Sequence, residues 1–165
     1  MRLPTFILLQ ILISLGCNAE THDGSSITAE FHEQLAARWG RAVGTQNVEM
    51  MGELMADDYV WHLRSGDVIG FENVRTRFAA LFKAFPDFQL VPVDTVSDGK
   101  KLVVRWNVSG THLGEFLGVS PTGNRIAFPT ISIDRISNGQ FAEGWEVTDE
   151  LGLRKQLGFI LEFPK

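Results

Sequence analysis

The spacing of apolar residues changes at Pro86, and that change sets the fold class. Before it, Phe31, Leu35, Trp39 and Val43 stand four apart. Phe71, Val74, Phe78, Leu81, Phe82 and Phe85 follow the same helical period and draw the clearest apolar stripe in the chain. After Pro86 the period becomes two. Phe88 to Val96, Leu102 to His112, Arg125 to Ile136 and Phe141 to Thr148 read as strands. Ser97-Asp98-Gly99-Lys100 and Asn138-Gly139 lie between them as hairpin turns. Asn-Gly is the stronger signal, because both central residues of such a turn need positive φ. Pro92 suggests an edge or a bulge, and Pro129 a bend or bulge. Helices followed by an antiparallel meander make an α+β domain.

The helical half carries its own stop signals. Thr28 offers an N-cap to the first helix, and Gly44-Thr45 ends it. Asn47 caps a second short helix, with Val48, Met51 and Met55 on one face. Tyr59 to Leu63 reads as a strand and Ser65-Gly66-Asp67 as a turn. The third helix, from about Phe71 to Ala84, stops at Pro86. A closing helix covers about Glu150 to Leu157.

Helices that precede a curved sheet can pack onto its concave face and leave a cone-shaped interior. With 165 residues the chain can bury a real core. Its 12 Phe and 4 Trp, against one Tyr, demand an apolar core, pocket or interface. Leu102, Val104, Trp106 and Val108 share one face of a strand, with Val103 on the other. A sheet that is apolar on both faces needs cover on both, by helices on one side and a second subunit on the other, so a homodimer is expected.

Residues 1–19 read as a signal. Arg2 precedes an almost wholly apolar run from Leu3 to Leu15, and Gly16, Cys17, Asn18 and Ala19 follow as small residues. Cleavage after Ala19 is one reading. The other takes Ser14-Leu15-Gly16-Cys17 as an imperfect lipobox, with Cys17 lipidated as a membrane anchor. Either way the chain is expected to be exported. Residues 20–28 read as a tether and residues 29–160 as the domain.

Several function classes are disfavoured. A net charge of −5 and the lack of any Lys/Arg run argue against a nucleic-acid partner. Cys17 is the only cysteine, so the domain holds no disulfide and no Cys-based metal site. There is no His-x-x-x-His pair, no Gly-rich phosphate loop and no G-x-S-x-G nucleophile motif. Two readings stay open: an enzyme doing acid/base work with neither metal nor cofactor on an apolar small molecule, or a non-catalytic module that binds such a ligand or another protein. Three histidines are candidates or foils. His32 lies beside the first stripe and reads as solvated, His62 alternates with Trp61, and His112 ends a long strand. Glu143, Trp145, Val147 and Asp149 share a face by alternation. If Trp145 points inward, Asp149 sits at the rim, where a neighbouring ring desolvates it and makes it a better base. Asp149 also precedes the last helix and reads equally as its N-cap. Trp61, Trp106, Phe128 and Trp145 are the candidate lining of the ligand site.

The string GTHLGEFLGVSPTGNRIAF at 110–128 is similar to the GTH-x-G-x-F-x-G-x-x-PTG segment of SnoaL-like proteins, often labelled ester cyclases. ISIDRISNGQFAEGWEVTDELGLRKQLG at 131–158 resembles their closing segment, and AFPDF at 84–88 and GFENV at 70–74 fit as well. The resemblance spans residues 30–158. It implies a nuclear-transport-factor-2-like α+β cone, usually dimeric, with a curved antiparallel or mixed sheet wrapped around the N-terminal helices. The family's polyketide cyclases close a ring by intramolecular aldol condensation without metal or cofactor. Their acid/base Asp belongs to a W-x-x-x-D motif, matched here by Trp145 and Asp149. His62 and His112 fall where the family often has His. The resemblance thus implies Asp149, His62 and His112 as catalytic candidates. The export signal sets this chain apart from the cytoplasmic cyclases of the family.

Overall fold

A computed structural model describes residues 24–159 of the chain. The signal, the choice between its two cleavage readings and the Cys17 anchor fall outside the described residues. The elements run α1 (Gly24–Gly44), α2 (Val48–Leu54), β1 (Met55–Leu63), β2 (Gly66–Ile69), α3 (Phe71–Ala84), β3 (Gln89–Ser97), β4 (Lys101–Thr111), β5 (Arg125–Ser137), β6 (Gln140–Thr148) and α4 (Glu150–Gln156). The fold is α+β. One six-stranded sheet in the order β2-β1-β6-β5-β4-β3 carries all four helices. All neighbours pair antiparallel except β1 and β6, which run parallel.

Local chemistry explains most boundaries. Asn47 accepts the Met50 N–H through its side chain and starts α2. The α3 helix ends at Phe85, before Pro86, as the stripe predicts. Asn138 and Gly139 both take positive φ, 52° and 77°, and turn β5 into β6. β3 is an edge strand whose register shifts between Pro92 and Asp94, so both features expected of Pro92 are present.

Four expectations are revised. α1 begins at Gly24, so part of the expected tether is helix. β2 pairs with β1 across Arg64-Ser65, and Gly66 and Asp67, which the sequence shows as turn, belong to the strand. The β4–β5 register runs unbroken through Pro129, and the irregularity of β5 falls at Arg135/Ile136 instead. His32 is buried, 2% exposed, with Nδ1 2.7 Å from Ser97 Oγ. Burial disfavours its charged form and lowers its pKa.

The core lies between the helices and the concave face of the sheet. Leu35, Trp39 and Val43 of α1 and Val74, Phe78 and Phe82 of α3 meet Leu102, Val104, Trp106 and Val108 of β4. Each fully buried aliphatic or Phe side chain contributes roughly 1.5–3 kcal/mol to stability. Trp39 packs edge-on against both Phe78 and Phe141, and Trp61 stacks parallel on Phe78 at 5.9 Å.

Candidate functional site

Two adjoining chambers lie on the concave side. The inner one, about 40 Å³, is lined by Tyr59, Trp106, Ser132, Asp134 and apolar side chains. The outer one is an open cavity of about 1180 Å³, with Phe85, Phe88, Phe116, Ile126 and Phe128 in its wall. Trp61, Phe78, Leu90 and Glu146 line both and mark the junction. The inner chamber has room for water-sized molecules only, since a water needs about 10–15 Å³. A polycyclic ligand fits only the outer cavity, which reaches the size of small-molecule sites.

The polar groups at the junction come from alternate positions of β5 and β6. Thr130, Ser132 and Asp134 face inward from β5, and Gly144, Glu146 and Thr148 from β6. Trp106 Nε1 donates to Ser132 Oγ at 3.0 Å, and Ser132 Oγ donates to Asp134 Oδ2 at 2.7 Å. Asp134 is 5% exposed, and burial pushes its pKa up to about 7 despite the Ser132 hydrogen bond. The Thr148 hydroxyl donates to Glu146 Oε1 at 2.9 Å. Burial raises the Glu146 pKa against that bond and against the positive charge of Arg77. Tyr59 is buried beside both acids, and desolvation raises its pKa. Gly144 makes room for this cluster: a Cβ there would overlap the Tyr59 hydroxyl and come within 2.6 Å of Asp134 Oδ1.

The structure divides the candidates read from the sequence. Trp61 lines both chambers, Trp106 the inner and Phe128 the outer. Asp149 lines the outer cavity and also caps α4, with Oδ1 accepting the Gly152 N–H at 2.8 Å. The cap reading of Asp149 holds, and the residue borders the cavity, but without the indole that the sequence reading set beside it, since Trp145 faces outward.

Trp145 does not point into the cone. It shares its face with Glu143 and Val147, as alternation requires, but that face is the convex one, and Trp145 is 37% exposed. His62 follows it to the outside, stacked on Trp145 at 5.0 Å. Its Nδ1 meets Asp67 at 2.9 Å and its Nε2 meets Glu143 at 3.1 Å. The Glu143 and Asp67 hydrogen bonds raise the His62 pKa. This cluster ties the β1–β2 hairpin to β6 on the surface.

His112 is fully buried behind Phe85, at 5.3 Å between ring centroids, and lines neither chamber. Its Nδ1 accepts the Thr122 N–H at 3.3 Å and lies 3.0 Å from Thr122 Oγ1. That role fastens the GTH–PTG loop to the end of β4. Among the described residues, no three His, Cys, Asp or Glu side chains converge as a metal site.

Glu146, Asp134, Tyr59 and Arg77 escape the sequence reading. The signal for Glu146 is present, one residue beyond Trp145, and is masked by the assumption that the indole faces inward.

A family model described as SnoaL-like polyketide cyclase matches residues 33–157. The chain belongs to this SnoaL-like family. Its solved relatives share the fold. TsrD from Streptomyces laurentii is 28% identical, with a TM-score of 0.73, over 79% of this chain and 97% of that one. AclR from Streptomyces galilaeus is 26% identical, with a TM-score of 0.73, over 83% and 87%. IdmH from Streptomyces antibioticus is 28% identical, with a TM-score of 0.70, over 78% and 99%. No protein of curated function matches. The SnoaL-like match ends at Leu157, so it takes in the inward-facing acids Asp134 and Glu146 as well as Asp149.

Proposed function

We propose that this SnoaL-like protein is an acid/base enzyme that removes a carbon-bound proton from an apolar small molecule held in the outer cavity. The observation that carries the proposal is the placement of Glu146, a half-buried residue with its carboxylate at the junction of the two chambers. A desolvated carboxylate is a stronger base than one in water. Asp134, whose pKa burial pushes up to about 7, lines the inner chamber behind Glu146 and does not border the ligand's cavity. Trp61 and Phe128 form the wall against which the ligand lies, and Asp149 stands at the rim. Aldol-type cyclisation and isomerisation both begin with this proton removal. IdmH is described as a candidate polyketide cyclase and AclR as a candidate hydroxylase, which supports a small-molecule substrate.

Deuterium exchange at the α-carbon of 2-tetralone, a bicyclic ketone, tests the reading by proton NMR in D₂O. Exchange faster than with an equal concentration of the Glu146→Gln protein is expected. Tight binding of the ketone with no exchange would instead favour a ligand-binding module.

A homodimer built on the convex face is part of the proposal. Ile131, Ile133 and Val147 stand there 46%, 40% and 77% exposed beside Trp145. Light scattering is expected to give twice the chain mass, and Ile133→Glu to give the monomer. A monomeric wild type would contradict it. Export is likewise proposed, on the apolar run Leu3–Leu15. The mass of the mature N-terminus checks it: a lipidated Cys17 marks an anchored protein, and a free Glu20 a released one.

A further inference from the structure

We infer that the ligand of the outer cavity carries an anionic oxygen group, a carboxylate or its equivalent, held by Arg77 and Arg154. The inference rests on the reading of this cavity as a small-molecule site and adds the chemical class of its occupant. Arg77 comes from α3 and Arg154 from α4, so two separate elements each place a guanidinium in the cavity wall. Each lies over an aromatic ring, Arg77 at 5.8 Å from the centroid of Trp61 and Arg154 at 5.3 Å from that of Phe159. Neither is hydrogen-bonded or ion-paired to an acid among the described residues.

The acids nearby are already engaged. Glu150 pairs with Arg64 at 3.1 Å rather than with Arg154, one turn along its own helix. Asp149 holds the α4 cap. Glu146 lies deeper, where burial works against its charge. The wall holds three arginines, Arg64, Arg77 and Arg154, beside three acids, Glu146, Asp149 and Glu150; with Arg64 on Glu150, Arg77 and Arg154 are the two that make no ion-pair contact among the described residues. A guanidinium held over a ring makes no hydrogen bond to it and keeps N–H donors for an oxyanion such as a carboxylate. An aromatic body lying along Trp61 and Phe128 with its anionic group at the arginines would turn its remaining edge toward Glu146.

Two dyes on one ring system separate the contributions. 1-Anilinonaphthalene-8-sulfonate and N-phenyl-1-naphthylamine differ by the sulfonate alone. In fluorescence titrations of the whole protein, the sulfonate is expected to bind at least about tenfold more tightly than the neutral dye. The Arg77→Gln/Arg154→Gln double variant should lose that preference and keep its affinity for the neutral dye. Arg75→Gln, outside the cavity and paired with Glu72, should leave the preference unchanged. Equal binding of the two dyes to the wild type, or a preference that survives the double variant, overturns the inference and leaves the cavity reading standing. Binding of neither dye contradicts both.

Discussion

Replacing Asp134 by Asn is expected to stabilise the protein above pH 7 and to flatten the dependence of its stability on pH. Asp134 is almost fully buried, and its pKa rises from 3.8 to about 7. Between those values the native state holds a proton that the unfolded chain has released. The sign follows from proton counting. The stabilisation is complete below the unfolded pKa and is lost as pH rises through the folded one. A shift of this size corresponds to about 4 kcal/mol between pH 4 and pH 8. Asn cannot ionise, and its carbonyl can still accept the Ser132 hydroxyl. Urea denaturation at several pH values measures the effect. Glu146 and His62, both with raised pKa values, keep a slope of the same sign in the variant, and His32, with a lowered one, opposes it. Identical slopes in the two proteins would show that Asp134 is not held in a desolvated site.

The second large effect is on turnover. Glu146→Gln is expected to slow α-proton exchange of 2-tetralone by about 10²- to 10⁴-fold, the range a positioned general base supplies. Gln retains an oxygen to accept the Thr148 hydroxyl, so the fold should persist. The wild-type rate should rise with pH, because the base must be ionised. Its midpoint should lie above the ordinary Glu range, because burial raises the Glu146 pKa. A midpoint at the ordinary value would mean that the reacting carboxylate is in water.

Much of the fold is legible in the residues because its causes are local. The six-residue stripe of α3 fixes that helix from Phe71 to Ala84, and the Asn138-Gly139 pair fixes the β5–β6 hairpin. β2 is not legible, since its four residues form a strand only through pairing with β1.

The site illustrates a different limit. Alternation says which residues of a strand share a face, and the grouping of Trp145 with Glu143 and Val147 is sound. It does not say which face turns inward. That depends on where the helices pack, which is not local information. Hydrophobicity points the wrong way here. The convex face carries Ile131, Ile133, Trp145 and Val147, and the concave face carries Thr130, Ser132, Asp134 and Glu146. A reader who places the large apolar residues inside therefore turns the end of the sheet over. That moves His62 and Trp145 into the cavity and Glu146 out of it. On β4 the same rule succeeds, because Leu102, Val104, Trp106 and Val108 do line the core.

The choice between Glu146 and Asp149 is the centre of the functional proposal, since both border the outer cavity. Exchange of 2-tetralone measured side by side for the wild type, Glu146→Gln and Asp149→Asn decides it. The expected result is a rate lost in Glu146→Gln and largely kept in Asp149→Asn, whose side-chain oxygen can still accept the Gly152 N–H because Asn caps a helix about as well as Asp. A rate kept in Glu146→Gln and lost in Asp149→Asn would contradict the assignment of Glu146 as the base.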